Sequence, residues 1–195
     1  MNRHRVVITG LGVTSVLGNT IDEYWNGLLQ GQSGIGKIQL FDASDLPCQI
    51  AGELIDFNPE DFFSKKEIRR MPRSGQIALA AAMKSVKDAG LPDKMPNPPR
   101  AGVYIGTAMG GVDFLSEGLQ TLREKSYRKL SPFIAGATIP NYSSFLIGKQ
   151  FQCLGPTGTI TTACATGTQS YRRGCPSSSR RYQSPHRGTA ECEIA

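Results

Sequence analysis

Three short runs of β-branched and apolar residues, each followed at once by glycine or other small residues, most constrain the fold. They cover residues 5–9, 101–107 and 157–162, and they precede GLGVTS, AMGG and ACATG. Such runs are typical of buried strands that end in tight turns. An alanine-rich helical pattern over residues 73–89, ended by Gly90, lies between the first two. Strand, helix and strand at this spacing predict a parallel βαβ unit in an α/β layered fold.

Other local signals predict further elements. Thr20 followed by Glu23 forms a capping-box pattern that predicts the start of a helix. We expect helices over residues 114–125 and 141–150, a short strand within 49–54, and irregular structure over most of 31–63. The predicted helix after Thr20 has an apolar face made of Tyr24, Trp25, Leu28 and Leu29.

The first glycine turn raises the possibility of a dinucleotide site, which its spacing disfavours. The pattern is GxGxxxxxG, with Ser15 where the third glycine of the fingerprint would stand. No acidic residue ends a clear second strand about 20 residues further on. We therefore predict that the chain binds no cofactor.

Charge, hydropathy and cysteine use exclude several function classes. Half of the formal net charge of +6 lies in residues 171–195, so the body carries no nucleic-acid footprint. No apolar run approaches the roughly 18–20 residues of a membrane helix, which predicts a cytoplasmic protein with no membrane partner. The five cysteines form no CxxC pair, and His4 and His186 have no metal-ligand spacing. We predict no disulfide framework and no metal site.

Cys164 is the candidate for chemistry. It follows the third predicted strand, where a parallel sheet gathers reactive groups beyond the carboxyl ends of its strands. At the start of a helix, backbone N–H groups and the macrodipole favour the nucleophilic thiolate. Its small neighbours would let an acyl group approach closely. From spacing alone, a buried structural cysteine is an equal alternative, and the other four cysteines are interpreted as structural or as part of the atypical tail.

Six segments carry a family resemblance. RVVITGLGVTSVLGN, IALAAAMKSVKDAGL, GVYIGTAMGG, SPF, IPN and TTACATGTQS, in this order, resemble the first half of a β-ketoacyl-acyl-carrier-protein synthase of type II. The resemblance covers about residues 5–170. It implies the thiolase-like fold, with α-β-α-β-α layers, and a homodimer in the cytosol or a plastid. It also implies a decarboxylative Claisen condensation in fatty-acid biosynthesis, with acyl- and malonyl-loaded acyl carrier protein as partner.

The resemblance also assigns site residues. Cys164 matches the nucleophile that takes the acyl group from the carrier thioester, and its own backbone N–H would supply one oxyanion donor. Met109 matches an apolar gate to the acyl pocket, and Phe133 resembles a second pocket-lining residue. Ordinary core packing is the alternative for Met109 and Phe133.

The chain departs from the family after Ser170. Two histidines, a lysine and a glycine-rich loop of the family's second half have no counterpart. We therefore divide the chain into residues 1–170, the N-terminal half of the synthase, and residues 171–195, an atypical tail that is out of frame or disordered. One choice of codons for residues 171–175, read one base later, encodes Ile-Gly-Glu-Ala, a typical family continuation. We expect this chain alone to have little or no condensing activity.

Three alternatives stay open to different degrees. A non-catalytic partner like the chain-length factors would replace the nucleophile, so Cys164 disfavours it. A condensing domain embedded in a modular polyketide synthase would carry a linker before its first strand. The first predicted strand begins at residue 5, which disfavours this alternative. A thiolase proper is disfavoured by the ACATGT, SPF and IPN segments.

Overall fold

The computed structural model of the protein describes residues 6–180 and 192–194. Within them, strands alternate with helices in the order that an α/β fold requires. The strands are β1 (Ile8–Leu11), β2 (Gly36–Lys37), β3 (Ile50–Ala51), β4 (Val103–Gly106), β5 (Thr157–Ile160) and β6 (Cys192–Ile194). The helices are α1 (Ile21–Leu29), α2 (Lys65–Ile68), α3 (Arg73–Asp88), α4 (Val112–Glu124), α5 (Ile134–Thr138), α6 (Tyr142–Phe151) and α7 (Thr166–Arg180).

The strands of the described residues form three hydrogen-bonded pairs. β4 pairs in parallel with β5, with Val103 beside Thr157 and Gly106 beside Ile160. β1 pairs in parallel with β6, and β2 pairs antiparallel with β3. The sequence predicted one βαβ unit containing both β1 and β4, but these two strands lie in different pairs. Strand pairing is non-local, so the alternation of strand and helix does not determine which strands become neighbours.

The alanine-rich helix α3 lies at the centre of the hydrophobic core. Its Ala80 is completely buried, and its Leu79 is nearly so. The helix packs against α6, which contributes Leu146 and Phe151 to the same core. β1 lies against the other side of α3, where Gly10 and Gly12 bring the two backbones into close contact. The many alanines of α3 therefore allow neighbouring elements to approach closely.

Several predicted elements are confirmed. α1 begins with the predicted capping box, in which Thr20 Oγ1 accepts from the Glu23 N–H at 3.2 Å. α3 ends one residue before the expected limit, and Gly90 has a φ of +67°, as a C-terminal glycine should. The predicted apolar face of α1 is largely exposed, with Trp25 at 58% and Leu29 at 68% of their full accessible surface.

A lysine on α3 organises the turn that follows β1. The Lys84 ammonium donates to the Val13 carbonyl at 2.9 Å, to Thr14 Oγ1 at 3.1 Å and to the Asn19 carbonyl at 2.8 Å. Desolvation lowers the pKa of Lys84, and the nearby Glu23 carboxylate opposes that shift. With three oxygen acceptors, the ammonium uses all of its donors to hold this turn.

The described part of the tail is regular. α7 continues across the proposed boundary at residue 170 as far as Arg180, and β6 adds a short strand beside β1. Residues 181–191 and 195 lie outside the described part of the chain, as do His4, Arg5 and His186. Within the described ranges, no helix is both long and apolar enough to cross a membrane.

Candidate active site

Cys164 lies just beyond the carboxyl ends of the paired strands β4 and β5. The Thr107 N–H extends the pairing by donating to the Ile160 carbonyl at 3.0 Å. Met109 follows β4 by three residues and Cys164 follows β5 by four, so the parallel register delivers both to the same edge. This is the edge at which open α/β sheets place reactive groups.

The turn that carries Cys164 is strained. Ala163 has a φ of +48°, one of only two positive values among the described non-glycine residues. A left-handed alanine costs about 1–2 kcal/mol, because its Cβ crowds the backbone. Ala163 is the first residue of a single 3₁₀ turn, Ala163–Ala165. The Ala165 N–H closes this turn by donating to the Thr162 carbonyl at 3.1 Å. The Cys164 side chain is exposed. Strain of this kind is typical of a residue that presents a reactive group.

Helix α7 starts at Thr166, two residues after the cysteine. Its first backbone N–H groups lack partners within the helix, and they carry the positive end of its macrodipole. Gly106 at the end of β4 allows the helix to begin here, because a Cβ built on Gly106 would lie 2.6 Å from the Thr166 carbonyl carbon. Gly167 has no atom within 4 Å of an ideal Cβ, so there is open space beside the first turn. The first turn of α7 is therefore open to its surroundings on the side of Gly167.

Met109 lies in the short connection between β4 and α4. Its side chain is 68% exposed. The adjacent Gly110 has a φ of +74°, and a Cβ there would lie 2.8 Å from the Thr138 carbonyl oxygen. The connection is thus packed on its glycine side while the Met109 side chain faces outward.

Phe133 immediately precedes α5 and is in contact with a positively charged surface. The Arg70 guanidinium lies 4.8 Å from the centre of the Phe133 ring, a cation–π arrangement. Phe133 also lines a cavity of about 590 Å³. We call the four cationic side chains that line this cavity the basic surface, and they are Lys65, Lys66, Arg69 and Arg70.

No prediction from the sequence covered the basic surface, although the run KKEIRR at residues 65–70 carries all four of its cationic residues. Ser64 is the N-cap of α2, and its Oγ donates to Glu67 Oε2 at 2.6 Å. This bond most strongly lowers the pKa of Glu67. The Tyr142 hydroxyl donates to the Arg70 carbonyl at 3.0 Å, and burial raises the pKa of Tyr142. These two bonds hold the start of α2 and the backbone of Arg70, just after the helix, in the segment that lines the cavity.

Comparison with known proteins places the chain in a family. Residues 3–177 match the sequence profile described as "Beta-ketoacyl synthase, N-terminal domain". The chain belongs to the β-ketoacyl synthase family. It is 41% identical over 167 residues to the 3-oxoacyl-[acyl-carrier-protein] synthase 2 of Coxiella burnetii, a match that covers 86% of this chain and 40% of that protein. The chain therefore spans about two fifths of the length of the curated synthases it matches.

Solved structures of synthases have the same fold. The ishigamide ketosynthase/chain length factor superposes with a TM-score of 0.76 at 32% identity, over 86% of this chain and 42% of that one. A type II polyketide ketosynthase in complex with its acyl-carrier protein, AntDE:AntF, superposes with a TM-score of 0.73 at 18% identity, over 90% and 46% of the two chains. The predicted thiolase-like fold is confirmed by these ketosynthase neighbours.

Proposed function

We propose that this chain forms the N-terminal half of a 3-oxoacyl-[acyl-carrier-protein] synthase of the type II class, in which Cys164 accepts the acyl group. The observation that carries the proposal is the exposed thiol on a strained turn, between the end of a parallel strand and the start of a helix, in a chain 41% identical to such a synthase. The assignment would make the intact protein an acyltransferase of fatty-acid biosynthesis.

The geometry supports the first half of the reaction. The Cys164 thiol releases its proton to water as its sulfur attacks the carbonyl carbon of an acyl thioester, and the electron pair of the C=O bond moves onto oxygen. We propose that the Cys164 backbone N–H, together with the positive end of the α7 macrodipole, stabilises this oxyanion. Collapse of the tetrahedral intermediate breaks the bond to the carrier sulfur, which leaves as a thiol after taking up a proton.

The second half of the reaction requires groups beyond those found in this chain. Attack of the malonyl-derived carbanion on the acyl-cysteine needs decarboxylation, which the resemblance assigns to residues of the second half. We propose that the chain alone accepts acyl groups and does not condense them. Met109 and Phe133 are proposed to border the acyl chain, and their exposed apolar surface supports that role.

The basic surface supports a carrier protein as the partner. Four cationic side chains line one cavity beside Phe133, and one of them, Lys65, forms only an exposed ion pair with Glu60 at 3.8 Å. A surface of this charge attracts an anionic partner and accelerates its association. A homodimer and a cytoplasmic location complete the proposal, and the exposed thiols of Cys48 and Cys164 favour a reducing compartment.

The experiment that tests the proposal is acylation of the purified chain. Incubation with a long-chain acyl carrier protein should transfer the acyl group to Cys164, detected by mass spectrometry of the intact chain and its peptides. Cys48 is a matched control in the same molecule, because it is also an exposed thiol. Modification of Cys48 and Cys164 to the same extent, or of neither, would reject the assignment.

A charge-reversal experiment tests the carrier surface separately. Replacing Lys65 and Lys66 by Glu should lower the acylation rate from the carrier protein about tenfold or more, with a smaller effect at high salt. Acylation from a small uncharged thioester should not change. Replacing Lys37 and Lys87, which lie elsewhere, by Glu is the matched control.

A polyketide ketosynthase is the second candidate, favoured by the 32% identity to the ishigamide ketosynthase/chain length factor. The two candidates differ in the acyl group they accept. Preference for saturated acyl chains would support the fatty-acid enzyme, and preference for polyene or ketone-bearing chains would support the polyketide enzyme.

A further inference from the structure

We infer that Thr162 is a positioning residue for Cys164, because two bonds from this one residue hold the strained turn that carries the thiol. The inference rests on the proposed acyl transfer. The Thr162 carbonyl accepts from the Ala165 N–H at 3.1 Å, and the Thr162 hydroxyl donates to Gln169 Oε1 at 3.0 Å. The first bond closes the 3₁₀ turn, and the second ties the end of the strand to the first turn of α7.

The turn between these bonds needs to be held. Ala163 has a φ of +48°, and left-handed alanine persists only where the surrounding structure fixes it. Little packing does so here, because Thr162, Ala163 and Cys164 are all exposed. The side-chain bond to Gln169, seven residues further along the chain, therefore links the turn to helix α7.

We call the two Thr162 hydrogen bonds the clamp. The clamp chiefly holds the direction of the Cys164 N–H relative to the Cys164 sulfur. In acyl transfer, the sulfur forms a bond to the carbonyl carbon while the N–H must meet the oxygen that gains the electron pair. Alkylation by iodoacetamide displaces iodide from a saturated carbon and builds no oxyanion. A loosened turn should therefore slow acyl transfer more than alkylation.

The test compares both reactions in the full chain and three variants. Thr162→Val removes the hydroxyl and keeps the shape, Thr162→Ser keeps the hydroxyl, and Gln169→Leu removes the acceptor. Each is treated with a short acyl thioester or with iodoacetamide, and modification at Cys164 and Cys48 is followed by mass spectrometry. Circular dichroism checks that the variants fold.

We expect Thr162→Val and Gln169→Leu to slow acylation of Cys164 about 3- to 10-fold, the effect of one lost hydrogen bond. Alkylation of Cys164 should change less than about 2-fold, and Thr162→Ser should restore acylation. Reaction at Cys48 should be the same in all variants. Equal slowing of both reactions, or acylation unchanged in Thr162→Val, would overturn the inference.

Hydrogen exchange separates this inference from the proposed function. The peptide spanning residues 161–169 should exchange faster in Thr162→Val and return to the native rate in Thr162→Ser. If the native chain is not acylated at Cys164, the proposed function is wrong, and hydrogen exchange still tests whether Thr162 stabilises the turn. Identical exchange rates in the native chain and all variants would then show that Thr162 does not stabilise it.

Discussion

At the scale of single residues, one glycine and one alanine determine where the thiol lies. Gly106 allows β4 to pass directly beneath the start of α7, and Ala163 turns the chain so that Cys164 faces outward. The cysteine and its small neighbours could be identified from the sequence. The positive φ of Ala163 could not be predicted, because the sequence does not distinguish an alanine in the left-handed conformation from any other alanine.

Gly106→Ala should both destabilise the chain and slow acylation of Cys164. A Cβ at this position would lie 2.6 Å from the Thr166 backbone, so α7 must shift and take the cysteine with it. We expect a loss of about 1–3 kcal/mol in the free energy of unfolding, measured with urea.

Gly136→Ala is the matched control for this substitution. A Cβ there would be 3.9 Å from the Tyr142 ring, an ordinary contact, and the position is inside α5. The control should leave acylation unchanged. Equal effects of the two substitutions would show that close approach at Gly106 is unimportant.

At the scale of elements, local signals and long-range contacts differ in how far the sequence reveals them. The capping box at Thr20 and the alanine pattern of α3 depend on neighbours within a few residues, and both predictions were confirmed. The separation of β1 from β4 and the role of Lys84 depend on contacts between distant residues. Lys84 looked like one position in an apolar helical pattern, while its partners lie about 65–71 residues earlier.

Lys84→Met should destabilise the turn after β1. Methionine keeps the length and apolar stem, but the Val13 and Asn19 carbonyls lose their donor. Part-buried acceptors without partners cost about 1–3 kcal/mol in the free energy of unfolding. Denaturant unfolding measures this loss. Lys87→Met, on the exposed end of the same helix, should change stability by less than about 0.5 kcal/mol.

Helix α2 should lose stability in acid through Glu67. Hydrogen bonds, first from the Ser64 side chain and then from its backbone, lower the pKa of Glu67 below its ordinary value of 4.5. A carboxyl with a lowered folded-state pKa contributes stability above its unfolded pKa, and this is lost as pH falls through the folded value. Between about pH 6 and pH 3, the Tm of Glu67→Gln should decrease less than the Tm of the native chain. The same dependence of Tm on pH in both proteins would contradict this explanation.

At the scale of the whole molecule, the described residues leave much apolar surface uncovered. Ile8 on β1, Trp25 on α1 and Leu119 on α4 are all more than two fifths exposed. The chain spans about two fifths of the length of its synthase relatives, and exposed apolar surface of this extent favours association. The order of strands and helices in the sequence predicted the fold class. The exposure of a given side chain depends on which other segments pack against it, so it could not be predicted from one segment.

The apolar side of α4 should drive self-association of the isolated chain. Leu115, Leu119 and Leu122 are spaced to lie along one side of the helix, and each is exposed. Sedimentation velocity should show concentration-dependent association, which replacing all three by Lys should reduce. Glu117→Gln on the same helix should have no such effect. Association that persists in the triple variant would direct attention to another face.

The ammonium of Lys84 can also serve as a chemical gauge of folding. An amine with all three hydrogens bound to oxygen is poorly available to acylating reagents, whereas an exposed lysine such as Lys87 remains reactive. The ratio of labelling at these two positions would therefore report whether the turn after β1 has formed. Because the ratio needs no enzymatic turnover, it would apply equally to the isolated chain, its variants and any assembly with a second half.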